Sequence, residues 1–216
     1  MGELLVIRHG QASFGAEDYD QLSDLGRQQS AMLGAALRGL DWLPDRVITG
    51  TLQRQKQTLA AMGYEDPPEE HDGFNEYDFH DLLAVYFKGK VPDDVRHERK
   101  THFRTLRQVI YAWQKGGLAG ASETWAGFAA RVEAARKFAC EGSGKKVLVI
   151  SSGGPIGQLV ATTLHAPPAQ MVALNLQVKN TSLTRFYFSG TRLTCHEFNA
   201  TPHFSDAESA RKMSYS

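Results

Sequence analysis

A chain of 216 residues, 42% hydrophobic and 22% charged, is sized for one domain with a real core, or for a core plus a sizeable insertion, and is too apolar for a disordered chain. Lys plus Arg and Asp plus Glu both number 24, so the net charge is zero; no global field recruits nucleic acid, and no long basic run marks a membrane surface. Any anion site must be a local arrangement of charges.

The first element is Leu4–Ile7, a continuous apolar run with β-branched residues that reads as a buried strand of a parallel or mixed sheet. It is too short for a signal-peptide core and lacks a basic leader, and no later stretch is long enough to span a bilayer. The chain is therefore expected to be soluble and cytoplasmic, with no membrane partner. Arg8, His9 and Gly10 follow at the carboxyl end of the strand, and a loop runs from about Gln11 to Leu22. Ser23 fits as an N-cap, with Asp24 in the first turn. Leu25, Met32, Leu33, Ala36, Leu37 and Leu40 then recur at helical spacing.

Arg46–Thr49 reads as a second short strand. Thr51 is expected to cap the next helix, which carries Arg54 in its first turn and Leu52, Leu59 and Met62 on its inner side. A Pro- and acid-rich loop, Glu65 to Gly73, leads to Phe74-Asn75-Glu76. Residues 78–120 differ in texture, being rich in His, Arg, Lys and aromatics, with helical patches near Leu82–Phe87 and Phe103–Trp113; they read as an insertion, ended by Gly116, Gly117 and Gly120. The run Arg96–Lys100 within it reads as a solvated helix face. Ser122 is expected to cap a helix with Trp125, Phe128, Val132, Ala135 and Phe138 on one side.

Val147-Leu148-Val149-Ile150 is the clearest strand, followed by Ser151-Ser152-Gly153-Gly154, with Pro155 suited to the first position of a helix. Leu183–Phe188 and Leu193–Phe198 read as two strands joined across Ser189-Gly190-Thr191. Exposed sheet edges near this hairpin make a homodimer conceivable. The tail from Ser205 to Ser216 is polar and expected to be loose. Cys140 and Cys195, far apart in sequence, do not make a disulfide framework.

Strands alternating with helices imply an α/β fold, a three-layer α/β/α arrangement around a mostly parallel, doubly wound sheet. A single domain over 1–216 with a helical, cap-like insertion at about 78–120 is expected. Ligands in such sheets bind beyond the carboxyl ends of the strands, where Arg8-His9, Thr49 and Ser151-Ser152 all fall.

Those residue types suit phosphoryl transfer, which needs in-line positioning, charge stabilisation on the equatorial oxygens and a proton for the leaving oxygen. Neutral histidine accepts a phosphoryl group at physiological pH, and arginine offers a permanently charged planar fork. His9 is thus a candidate nucleophile, and Arg8 and Arg54 candidate clamps. Gly10 would allow amides to approach the anion, and the helix beginning near Pro155 would add dipole and N–H groups.

Arg8-His9-Gly10-Gln11 resembles the Arg-His-Gly signature of the histidine phosphatase superfamily, in its phosphoglycerate-mutase-like branch. The resemblance extends through Leu22-Ser23-Asp24-Leu25-Gly26-Arg27-Gln28-Gln29, Thr51-Leu52-Gln53-Arg54-Gln55-Lys56-Gln57-Thr58, Phe74-Asn75-Glu76, then Glu123, Phe128, Arg131 and Val132, and Phe198-Asn199-Ala200-Thr201-Pro202-His203, in the family's order over nearly the whole chain. It implies a phosphomonoester hydrolase in which His9 is phosphorylated, Arg8 and Arg54 bind the phosphoryl oxygens, and Glu76 protonates the leaving alcohol and later activates water. Gly10, Gln11, Ser13, Ser152 and Gly153 join as expected phosphate contacts. Asp78 and Asp81 are the alternatives to Glu76.

Two positions depart from that pattern. Ser152 stands where the family has a second histidine, replacing a chargeable donor with one neutral hydroxyl, a loss of roughly 10²–10³-fold in turnover on the usual scale for one electrostatic donor. Ala12 likewise replaces a Thr or Ser, and Ser13 is the candidate to take over its contact. The departure motivates an alternative, a family member that binds a phosphorylated ligand or partner with weak or no turnover; a phosphoglycerate mutase is a third reading. Ser152 is not a nucleophile elbow and Gly153-Gly154 is not a dinucleotide fingerprint. His71, His80, His97 and His102 have irregular spacing without Cys partners, so neither a metal nor any other cofactor is expected. The partner expected is a small phosphorylated molecule, not nucleic acid.

Overall fold

The computed structural model describes residues 1–13, 20–142 and 144–215, with backbone alone at 96, 97, 99 and 100, so of the Arg96–Lys100 helix face only the Glu98 side chain is described. Six strands, β1 (Gly2–Arg8), β2 (Arg46–Thr49), β3 (Glu69–Glu70), β4 (Lys146–Ser151), β5 (Leu183–Ser189) and β6 (Arg192–Ala200), form one sheet in the order β3-β2-β4-β1-β5-β6. The β1–β4, β2–β4 and β2–β3 pairs are parallel, and β5 is antiparallel to both its neighbours. The sheet is therefore mixed, with β5 alone running against the rest. In its registers Arg8 lies opposite Ser151 and Thr49 opposite Ile150, which lines up three strand ends at one edge of the fold.

The continuous apolar strands are buried on both faces, as their sequences imply. Successive side chains alternate between the faces. Leu5, Ile7, Leu148 and Ile150 pack with Leu33 and Leu37 of α1 (Asp24–Gly39) and Leu59 of α2 (Gln53–Ala61). Leu4, Val6, Val147 and Val149 pack on the opposite face with Phe128 and Val132 of α6 (Trp125–Cys140), Ile156 and Val160 of α7 (Gly153–Thr163), and Met171 of α8 (Pro168–Asn175). Each such side chain contributes roughly 1.5–3 kcal/mol on burial. Leu82 and Leu83 of α3 (Phe79–Tyr86) and Val109, Ile110 and Trp113 of α5 (Arg99–Gln114) belong to the same cluster, so the 78–120 segment, which also contains α4 (Asp93–His97), shares the main core.

Several helix ends differ from the sequence expectation, each for an identifiable reason. Ser23 does cap α1, accepting from the Gly26 amide at 3.1 Å, but Leu40 at its carboxyl end is 64% exposed, so the apolar stripe stops at Leu37. Thr51 does not cap α2. The Asp20 carboxylate takes the Gln53 and Arg54 amides, at 2.8 and 3.4 Å, while Thr51 exchanges two bonds with Asn75. Thr124 caps α6 in place of Ser122, whose amide and hydroxyl both donate to Asp81 Oδ2. Helix α7 starts at Gly153, two residues before Pro155.

The polar tail is docked rather than loose. A short helix, α9 (Ala207–Ala210), is capped by Asp206, and Gln29 Nε2 then donates to Lys212 O at 2.6 Å and Ser214 Oγ at 2.9 Å. Asn180 N donates to Ser214 O at 2.9 Å, and Ser214 Oγ donates to Asn180 Oδ1 at 2.9 Å. The tail is held by main-chain and side-chain polarity instead of apolar burial. Among the described residues, no helix is long and apolar enough to cross a membrane.

Candidate active site

His9 follows the last residue of β1 and is clamped through its backbone from both sides. His9 N donates to Ser151 O on β4 at 2.9 Å, and Asn180 Nδ2 donates to His9 O at 3.2 Å. Its side chain is 3% exposed. His9 Nδ1 lies 2.7 Å from the Gly10 carbonyl, which can only accept, so Nδ1 carries the ring proton. Nε2 is then the nitrogen with the lone pair, and Arg54 donates its Nε–H to it at 3.2 Å. Burial, followed by the charges of Arg54 and Arg8, holds the His9 pKa well below its ordinary value, against a smaller opposing effect of the Gly10 bond. The lowered pKa favours the neutral imidazole at physiological pH, and its basic nitrogen is turned to Arg54.

Both guanidinium groups are buried and anchored. Arg54, in the first turn of α2, pairs through NH1 with Asp20 Oδ1 at 2.8 Å. Arg8 donates from NH1 to Val178 O and, at 3.1 Å, to Tyr215 O of the docked tail. These attachments fix the forks beside His9.

Glu76 sits in the loop after β3, and its two carboxyl oxygens accept from the Gly154 amide at 3.1 and 3.0 Å. A Cβ at Gly154 would lie 2.1 Å from Glu76 Oε1, so only glycine leaves room for this carboxyl at the head of α7. Burial raises the Glu76 pKa. The Gly154 bond, then Arg54 and Arg8, oppose that shift without cancelling it. Arg54 and Arg8 thus act on His9 and Glu76 alike, which brings the four groups into one cluster. The loop itself is braced by Arg131, which pairs bidentately with Glu123 at 2.6 and 3.1 Å and donates to Asn75 O at 2.8 Å. Asp78 and Asp81 are engaged as the cap of α3 and the acceptor of Ser122.

The remaining expected phosphate contacts divide. A Cβ at Gly10 would meet Gly26 O of α1 at 2.5 Å, so close packing on α1 requires glycine, and the Gly10 amide donates to Thr58 Oγ1 at 2.9 Å. Gln11 turns its Oε1 to Ser23 Oγ at 3.0 Å, and its amide donates to Gln29. Ser13 pairs through its amide with Gln21 O and borders residues 14–19, which lie outside the described residues. Gly153 lies against Arg8, a Cβ there falling 3.7 Å from Arg8 Cζ. Ser152 has no exposed surface, and its Oγ accepts from Gln55 Nε2 at 3.0 Å.

Asp20, Gln55, Gly154 and Asn180 take part in the site without having been singled out from the sequence. Asp20 and Asn180 carry no local signal. Gln55 and Gly154 lay inside recognised segments, next to the residues chosen. Among the described residues no three His, Cys, Asp or Glu side chains converge in a way that would hold a metal ion.

The model of the histidine phosphatase superfamily (branch 1) matches residues 4–201. Similar solved structures include a phosphoserine phosphatase mutant from Entamoeba histolytica in complex with phosphoserine (17% identity, TM-score 0.67, 94% of this chain and 99% of that one). An alpha-ribazole phosphatase from Shigella flexneri is 19% identical with a TM-score of 0.67, over 92% and 96% of the two chains. The mycobacterial glucosyl-3-phosphoglycerate phosphatase in complex with inorganic phosphate is 21% identical with a TM-score of 0.65, over 95% and 100%. These likenesses show the fold. An uncharacterised chloroplastic protein of Arabidopsis thaliana is 29% identical over 87 residues, 38% of either chain.

Proposed function

The chain belongs to branch 1 of the histidine phosphatase superfamily, and from that premise we propose that it is a phosphomonoester hydrolase working by two in-line transfers through phospho-His9. The observation that carries the reading is the tautomer of His9, whose Nδ1 is bonded to Gly10 O and whose Nε2 is therefore the basic atom, facing Arg54. An incoming phosphoryl group displaces the Arg54 Nε–H from that nitrogen. Arg54 and Arg8 then take its equatorial oxygens, with Gly153 and Ser13 as further candidate contacts.

In the first transfer His9 Nε2 bonds to phosphorus as the ester P–O bond breaks, and Glu76 gives its proton to the leaving oxygen. In the second, a water gives a proton to the Glu76 carboxylate as its oxygen bonds to phosphorus and the P–N bond breaks. His9 is restored and inorganic phosphate leaves. The raised pKa of Glu76 suits the first step, since a larger fraction starts protonated near neutral pH. The substrate is a small phosphorylated molecule, the class named for the phosphoserine and glucosyl-3-phosphoglycerate phosphatases. Side chains of this chain supply every step, and the scheme draws on no metal or other cofactor.

The test is to quench the enzyme during turnover of a generic aryl phosphate and locate the phosphoryl group by mass spectrometry. Phosphate on His9 is expected. Phosphate on no residue, with His9→Ala as active as the parent, overturns the proposal.

Ser152 favours a second reading, a protein that binds a phosphorylated ligand with weak turnover, because a buried neutral hydroxyl supplies no charge to the transferring group. Binding of an aryl phosphate with hydrolysis no faster than in His9→Ala would move the assignment to it.

A further inference from the structure

Gln55 is fully buried in α2, next to Arg54, and every polar atom of its carboxamide is bonded. Nε2 donates to Phe74 O at 2.9 Å and to Ser152 Oγ at 3.0 Å, and Oε1 accepts from the Leu52 amide at 3.3 Å. The orientation follows from chemistry. Phe74 O can only accept and Leu52 N–H can only donate, so the NH2 group must face Phe74 and Ser152. Ser152 Oγ is thereby the acceptor. The surroundings are shaped to this side chain, since a Cβ at Gly50 would lie 2.1 Å from Gln55 Oε1.

The two ends of this bridge lead to one place. Phe74 precedes Glu76 by two residues. Ser152 is the N-cap of α7, and two residues further on is the Gly154 amide that holds both Glu76 oxygens. Gln55 therefore closes a ring that runs through Phe74, Glu76, Gly154 and Ser152.

We infer that Gln55 is a positioning residue for the Glu76 carboxyl, tying the loop that carries it to the cap of the helix that holds it. The inference rests on the reading of Glu76 as general acid. Ser152, in this arrangement, acts as the anchor of the bridge rather than as a ligand of the phosphoryl group. Its short side chain leaves the volume that Gln55 fills. A carboxyl displaced by about 1 Å costs on the order of 10²-fold in the step it serves, so loosening one of several restraints should cost about tenfold.

Gln55→Met keeps the length and burial of the side chain and removes both N–H donors, while Ser151 Oγ still donates to Phe74 O at 2.9 Å. The readout is kcat/KM, which reports the step in which the leaving group departs, on two esters. A p-nitrophenyl ester needs little protonation of its leaving oxygen, and an alkyl ester needs it fully. The expected result is a loss of about tenfold on the alkyl ester with less than about a threefold loss on the aryl ester. Equal losses on both, or none on either, overturn the inference. Should Gln55→Met fail to fold, Ser152→Ala removes only the acceptor oxygen; an alkyl-selective loss then supports the bridge, and an unselective or absent one overturns it. Glu76→Gln measured alongside separates the two claims. An alkyl-selective loss there, with none in Gln55→Met, overturns the bridge alone, whereas an unselective loss overturns the general-acid reading beneath it.

Discussion

Arg54 Nε donates to His9 Nε2 across 3.2 Å, so the proposed clamp for the phosphoryl group rests on the very nitrogen proposed to attack it. The contact keeps the ring unprotonated at Nε2, since a protonated nitrogen could not accept, and the Arg54 charge adds to burial in lowering the His9 pKa. The same charge also lowers the Glu76 pKa.

Arg54→Ala should therefore do two separable things. Loss of one transition-state donor should lower kcat/KM by roughly 10²–10³-fold. Removing the charge should also raise both pKa values, so both limbs of the kcat/KM profile move to higher pH. A profile that falls in height with neither limb displaced would show that Arg54 does not set the protonation of the pair.

Glu76→Gln tests the acid through stability as well as rate. A carboxyl whose folded pKa is raised binds its proton more tightly folded than unfolded, so stability falls as pH rises from its unfolded pKa through the folded one. The glutamine variant lacks that cost. Its Tm should exceed the parent's at pH 8, and the difference should shrink by pH 4, while hydrolysis of an alkyl phosphate falls by roughly 10²–10⁴-fold. A variant less stable than the parent at pH 8 would contradict the raised pKa.

The parts of this site that were legible in the sequence are those with a local signal. β1 and β4 announce themselves as apolar runs between polar ends, and Arg8, His9, Arg54 and Glu76 sit in motifs that resemble a family's. The rest depends on contacts across sequence. Asp20 lies in a polar loop, and nothing there says its carboxylate will take both the amides of α2 and the Arg54 guanidinium. Gln55 reads as a helix-surface glutamine until the fold buries it. Pro155 suggests a helix start whose N–H groups suit a phosphate, but α7 begins two residues earlier, at Gly153, and the Gly154 amide goes to Glu76. The tail misled for a related reason. Its polarity implied solvent, whereas it satisfies Asn180, Gln29 and Arg8 by hydrogen bonds that composition does not reveal.

Ser152→His would supply the histidine that the resemblance leads one to expect there, yet the space beside it is taken. In the rotamer Ser152 holds, imidazole atoms continue past the Oγ position toward Gln55 Nε2, which is only 3.0 Å from that oxygen. The single substitution should destabilise the protein by about 1–3 kcal/mol, as overpacked cores do, and gain no activity. Ser152→His combined with Gln55→Ala should recover most of that stability, because the smaller residue vacates the volume. The two substitutions should then be non-additive by at least about 0.5 kcal/mol in urea denaturation. Additive effects would show that the two positions do not share the space.

His203 provides a test of the buried polar layer behind His9. Its Nε2 lies 2.9 Å from Thr181 Oγ1, whose own proton goes to Asn180 O at 2.7 Å, so His203 must be the donor. Its Nδ1 is buried with no hydrogen-bond partner found, and burial lowers its pKa to about 4. In the unfolded chain the ring titrates near 6.5. Between those values the unfolded state holds a proton that the folded state does not, so stability rises with pH across the window and is lost on acidification, by up to about 1.4 kcal/mol per pH unit for one group. His9, also lowered, contributes with the same sign. His203→Gln keeps an N–H donor for Thr181 and removes the titration. The slope of unfolding free energy against pH between about 4 and 6.5 should drop by close to one proton in the variant. Parallel slopes for the two proteins would mean that His203 keeps its proton in the fold as it does in the unfolded chain, and that burial does not lower its pKa.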